Sequence, residues 1–183
     1  MTPSRTTLRT FGPSIIVVTV LGLTCSGSPR AAAAQAADNA TKVFAGAQIQ
    51  ELYRLNLDRD EGLLEAIDAA VKQYGIQDGA VLTTVGTTQE CTYHYVESTA
   101  AAAKDVFVTQ KGAAEILNAS GLIAAGEPHL HITLTTPDGR AFGGHLENGC
   151  KVLYVAEVTL AKFSGPQLIR RPNKDKIPML VAR

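Results

Sequence analysis

Residues His129–Leu146 read HLHITLTTPDGRAFGGHL, and this stretch holds three of the chain's four histidines. Apolar and polar residues alternate on both sides of Pro137-Asp138-Gly139, the pattern of two short strands joined by a tight turn. If PDG is a three-residue loop, Pro137 and Asp138 are helical and Gly139 takes the left-handed conformation that glycine adopts freely. Thr136 then faces Arg140. Counting back from the loop sets His131 opposite His145, and period-two alternation puts His129 on the same face as His131. Leu130, Ile132, Leu134, Phe142 and Leu146 fall on the other face, toward a core. Opposed side chains lie ~5 Å apart at Cβ and the next same-face position ~7 Å along the strand, so one ion is within reach of all three imidazoles. Neutral imidazoles favour zinc among divalent metals, accept nickel, copper or iron as well, and leave a fourth position open. The alternative is three half-exposed histidines bonded to carbonyls or to a neighbouring subunit. Gly143 shares the histidine face and leaves space above the sheet, so Gly143 and Gly144, with Glu157 from a later strand, are the expected lining of a ligand pocket. A bulge at Gly143 and Gly144 would break this register.

The rest of the composition narrows the class. A chain of 183 residues, 45% apolar, with 17 basic and 17 acidic side chains, builds one sizeable core rather than two domains. It has no Trp and only five Phe and five Tyr, so Val, Leu, Ile and Ala must fill most of that core, and an aromatic platform for stacking bases is not expected.

The N-terminus reads as an address. Arg5 and Arg9 precede the apolar run Ser14–Cys25, which is followed by GSPRAAAAQAAD, and these are the three parts of a secretory signal peptide. The apolar run is about half of the ~20 residues that span a bilayer, so no membrane segment is expected beyond the signal. Cleavage after Ala36 or Ala37 would start the mature chain near Asp38, in the periplasm or outside the cell; an uncleaved anchor is the alternative. Residues 1–37 carry three Arg and no acid, so the mature chain keeps 14 basic against 17 acidic residues, a formal charge of −3. Nucleic acid is a disfavoured partner at that charge. The basic cluster in LIRRPNKDK lacks the glycine of a minor-groove hook and is expected to be part of a solvated tail.

Between these ends the chain alternates one helix with many strands. IQELYRLNL suits a strand. DEGLLEAIDAAVKQYG offers Asp60 as cap, an apolar face of Leu64, Ile67, Val71 and Tyr74, and Gly75 as the stop. AVLTTVG, ECTYHYV, DVFVTQ, AEILNASGLIAA, the histidine hairpin and KVLYVAEVTLAKF are short, β-branched or alternating, and GTTQ after Val85 reads as a turn. The fold class is therefore α/β (α+β): an antiparallel sheet of about seven strands with one main helix packed on one face. The organisation is a signal peptide over 1–37, a linker over 38–48, the domain over 49–163 and a C-terminal tail over 164–183. One helix covers only one sheet face, so something must cover alternating apolar residues such as Val152, Tyr154, Ala156 and Val158.

RLNLDRDEGLLEAI, AVLTTVG, AEILNASGLI, PHLHITLTTPDGRAFGGHLENGCKV and AEVTL stand in the order and spacing of the PPC domain, the plant and prokaryote conserved domain, which the chain resembles from Gln50 to Phe163. The resemblance implies an antiparallel α/β fold, a homotrimer and, as in prokaryotic members, a metal held by the hairpin histidines. Plant members carry AT-hooks beside this domain; this sequence has no hook, and ECTYHYV replaces the family's arginine-bearing strand. Cys91 and Cys150 form an even pair once Cys25 is removed, so a disulfide is permitted in an oxidising compartment. Cysteine at the NGC position serves inside cells in the family, and two buried thiols are the expectation.

Three functions follow from these residues. The first is an exported metal-binding trimer that takes a small-molecule ligand. The second is a hydrolase in which a divalent metal activates water, with Glu157, Glu127 and Glu115 as candidate acids, each more simply a solvated carboxylate. The third, DNA association, rests on family analogy alone.

Overall fold

The computed structural model describes residues 41–100 and 103–183, so the signal-peptide reading of residues 1–37 and the first three residues of the linker lie outside the described residues. Its elements run β1 (Gln48–Asp58), α1 (Leu63–Gln73), β2 (Asp78–Val96), β3 (Asp105–Ala124), β4 (Glu127–Thr135), β5 (Ala141–Leu146), β6 (Lys151–Ser164), β7 (Leu168–Pro172) and β8 (Pro178–Ala182). Six strands form one antiparallel sheet in the order β1-β6-β2-β3-β4-β5, and β5 also pairs with β2, so the sheet curls and closes on itself. Among the described residues there are eight strands where about seven were expected: six in this sheet, and β7 and β8 from the last twenty residues.

The apolar alternation is what curls inward. Leu130, Ile132, Leu134 and Leu146 are buried with Ile116, Ala119, Ile123 and Val152, and Phe142 packs against them. Helix α1 closes this core with Leu63, Ile67, Ala70 and Val71. The helical face is thus rotated by one residue at its start, from Leu64 to Leu63, and Tyr74 stacks on Tyr53 outside the core at a centroid distance of 4.4 Å. Asp60 is not the cap: its φ is 69° and it belongs to the turn before the helix. Gly62 holds the cap position and makes no side-chain cap bond; instead a bridge between Gly62 and Lys151, and a bond from Leu63 N–H to the Cys150 carbonyl at 2.8 Å, stitch the helix entry to β6. Gly75, φ 57°, ends the helix as the sequence indicates.

Two segments expected as four strands are two long ones. AVLTTVG and ECTYHYV lie in β2, and the GTTQ segment between them does not turn; register shifts between Gly86 and Thr88 and between Thr88 and Glu90 bend the strand while β3 and β6 keep pairing with it. DVFVTQ and AEILNASGLIAA likewise merge into β3. These bulges also split the expected apolar row of β6. Val152, Ala156 and Val158 are buried, whereas Tyr154 is 70% exposed.

Cys91 on β2 and Cys150 at the start of β6 are joined by a disulfide, in place of the two thiols expected. Both residues are fully buried, and both flank the site where α1 and β6 meet. The stretch expected as a solvated tail forms the β7–β8 hairpin. It is tied down by two bonds from Leu168 N–H to the Asp78 carboxylate at 2.9 and 3.1 Å.

Candidate metal centre

The hairpin takes the three-residue loop. Thr136 N–H donates to the Arg140 carbonyl at 3.0 Å, Gly139 N–H to the Thr136 carbonyl at 2.8 Å, and Gly139 has φ 81°. The register therefore runs His131↔His145, Ile132↔Gly144, Thr133↔Gly143 and Leu134↔Phe142, without a bulge at the two glycines. His129 and His131 stand on β4 opposite Leu122 and Ser120 of β3. His129, His131 and His145 each offer one ring nitrogen, and these atoms lie within 4.8 Å of one another. The rings of His129 and His131 meet that of His145 edge to face, at 85° and 74°, a disposition in which in-plane lone pairs can converge.

The fourth histidine also arrives here. His94 on β2 pairs with His145 across the strand contact that closes the sheet, and with Glu147 these two form a second group of three ligand atoms within 4.8 Å. Its ring is stacked on His145 at 4.5 Å and 20°, as the rings of His129 and His131 are on each other at 5.6 Å and 25°. Its Nδ1 lies 2.7 Å from Glu147 Oε1; a carboxylate can only accept, so Nδ1 carries the proton and Nε2 faces Asp105 Oδ1 at 3.9 Å. Sequence reasoning missed His94 and Glu147. The alternation of ECTYHYV placed a histidine on a strand face, but only the β2–β5 pairing, 51 residues apart, identifies that face.

Burial is the first cause that holds His145 down to about 4, followed by its histidine neighbours, against which Glu147 works. His129 is also held below its ordinary value, chiefly by burial and next by the Arg170 charge. Both imidazoles are therefore neutral at neutral pH, the form that ligates a metal. A set of three imidazoles fits a divalent ion of the zinc type, with one position open.

The three residues expected to line a pocket fall in different places. Gly143 and Gly144 are in β5 beside the histidines, but they serve close packing of strands: a Cβ on Gly143 would run into the Ile132 carbonyl, and one on Gly144 into the His94 carbonyl. Glu157 is paired with Asn56 and Val85, nine residues along β2 from His94, and lines a groove with Arg54, Asn56 and Thr159. The structure does not bring it to the histidines. Glu127 and Glu115 lie at the two ends of the β3–β4 pairing, and neither joins a cluster of potential metal ligands among the described residues.

A curled antiparallel sheet with one helix on its core and histidines on the outer face of a hairpin defines the class of this protein. Within that class, the family model described as the Plants and Prokaryotes Conserved (PCC) domain matches residues 44–164, and the chain belongs to that family. The chain is 24% identical to a metal-containing protein from Archaeoglobus fulgidus, with a TM-score of 0.64 over 74% of this chain and 95% of that one. A plant- and prokaryote-conserved protein from Pyrococcus horikoshii is 26% identical, with a TM-score of 0.64 over 75% and 96%. Over 122 residues the chain is 30% identical to the bifunctional protein GlmU of Synechococcus sp. (strain JA-3-3Ab), covering 67% of this chain but only 19% of that relative. The chain thus spans about a fifth of the length of the curated relatives it matches.

Proposed function

We propose that this chain is an exported PPC-domain protein that binds one divalent metal, zinc by preference, through His129, His131 and His145, and offers the open position to a small ligand. The observation that carries this reading is the convergence of three ring nitrogens on a face segregated from the core, two of them on histidines held neutral. The metal would supply Lewis acidity at the open position. The description of the Archaeoglobus relative as metal-containing supports it. The working unit is a homotrimer, a reading supported by the exposed Leu82, Val85, Tyr154 and Val155 on β2 and β6, which need a cover of their own.

Elemental analysis of purified protein and a zinc titration at neutral pH test the metal. About one ion per chain is expected, lost in the His129→Ala/His131→Ala/His145→Ala variant; equal affinity in the two proteins would refute the site. Light scattering tests the trimer, and an intact Met1 on cytoplasmic protein would refute export.

A second reading, metal-dependent hydrolysis, is favoured by one observation: the Glu147–His94 pair beside the three-histidine set gives a proton acceptor oriented by a carboxylate. Zinc-dependent turnover of p-nitrophenyl acetate that disappears in His94→Phe would support it, and turnover independent of zinc would refute it.

A further inference from the structure

The β7–β8 hairpin lies beyond the residues that the family model matches, and it reaches the histidine face. Arg170 of β7, with Pro178 and Leu180 of β8, lines an open pocket of about 260 Å³ together with His129, His131 and Ser120. The volume is below the roughly 300–1,000 Å³ of pockets for drug-sized ligands, which suits a small molecule.

Arg170 lines this pocket and, among the described residues, no carboxylate does. Arg170 is half-buried and makes no close ion pair among the described residues; the Glu127 carboxylate is the acid that acts on it, from beyond ion-pair distance. Its guanidinium donates to the backbone carbonyls of Glu127 at 3.1 Å and Leu122 at 3.2 Å, which tie it in place against β3 and β4. Of the five N–H donors of an arginine, the other three have no partner among the described residues. Nearby stand imidazoles that bring no negative charge to a metal. A divalent ion on neutral ligands beside a half-buried guanidinium would concentrate positive charge, which favours an anion in the same space.

We propose that the pocket lined by Arg170, His129 and His131 is a binding site for a small oxyanion, a carboxylate or a phosphoryl group, held by the guanidinium on one side and the open position of the metal on the other. The inference rests on the metal reading above and names its ligand class. It also gives the β7–β8 hairpin a role at the site, because the two carbonyl bonds fix Arg170 at the pocket wall and leave it three N–H donors, the chemistry that recognises an oxyanion.

Calorimetry on the full chain, carried out in three stages, tests it. Zinc is titrated first. The zinc-loaded protein is then titrated with malonate and, separately, with methylphosphonate, and the metal-free protein with the same two probes. At least one probe is expected to bind the zinc form about tenfold or more tighter than the metal-free form, the preferred probe telling a carboxylate from a phosphoryl ligand. In Arg170→Gln the anion affinity should fall about tenfold or more while zinc binds equally or more tightly, because a repelling charge beside the ion is gone. A purely structural arginine would weaken both together. As a readout that needs no variant, the preferred probe should slow phenylglyoxal modification of Arg170 in the zinc-loaded wild type and leave it unchanged in the metal-free protein. Zinc binding with neither probe favoured by the metal, or with no protection of Arg170, overturns the oxyanion site and leaves the metal reading standing. Failure of zinc to bind at all overturns both.

Discussion

His94 stacks on His145 with ring centroids 4.5 Å apart, although the two residues sit on strands 51 positions apart in the chain. His145 is the residue common to both groups of potential ligands, whereas His94 belongs to one. His145→Phe is therefore expected to abolish stoichiometric zinc binding. His94→Phe keeps the edge-to-face set and should weaken zinc by about 10–100-fold, the range for partners that orient a ligand. A competition titration against a chelator reads both, and equal losses in the two variants would place His94 among the ligands.

The metal-free protein should lose stability in acid. His145 is held down to about 4 in the fold, below its unfolded value near 6.5, so the unfolded chain binds the proton more readily. Stability from this group is fully present above about 6.5 and is lost as the pH falls toward about 4. His129, lowered in the same direction, adds to the loss. After allowance for solvent screening of half-exposed rings, the two together are worth about 1–2 kcal/mol. Denaturant melts of metal-free protein across this window, with His129→Phe/His145→Phe as the reference showing a flatter profile, check the sign.

Reduction should destabilise the fold. The Cys91–Cys150 disulfide closes a loop with a sequence separation of 59, for which chain entropy predicts about 4 kcal/mol. A Cys91→Ala/Cys150→Ala variant should melt earlier than the oxidised wild type and should not respond to dithiothreitol. A reductant-insensitive wild type would mean that the bond contributes nothing.

Gly143→Ala should disrupt both packing and metal binding. The new Cβ meets the Ile132 carbonyl on the neighbouring strand, backbone that cannot rotate away, so β5 must part from β4 at the step beside His145. A loss of about 1–3 kcal/mol is expected, together with weaker zinc binding. Gly139→Ala makes a useful contrast: nothing lies within 4 Å of the new Cβ, and only the left-handed φ of 81° opposes it, at about 1 kcal/mol. Zinc affinity should be kept in that second variant.

Ala125→Asn should stabilise the protein. Ala125 and Gly126 are the two central residues between the paired Ala124 and Glu127, with φ 55° and 78°, the type I′ geometry that disfavours alanine. Asparagine tolerates that conformation, and a gain of about 0.5–1 kcal/mol in a thermal melt is expected.

The histidine hairpin was legible in the sequence because every determinant of it is local. Loop length fixes register, alternation fixes the face, and Gly139 fixes the loop, so the His131↔His145 pairing follows within eighteen residues. Much of α1 was legible for the same reason, since period and stop signal are local; its cap was not, because Gly62 is held by a bridge to distant Lys151 rather than by a side chain of its own turn. What the sequence did not contain was the closure of the sheet. The arrival of His94 and Glu147 at the site, the bond between Cys91 and Cys150, and the docking of Arg170 beside His129 and His131 all depend on contacts between segments far apart in the chain. A strand pattern states which face a residue is on, but not which strand lies beside it. That choice is made by the bulges of β2, which bend one long strand so that β3, β5 and β6 all pair with it.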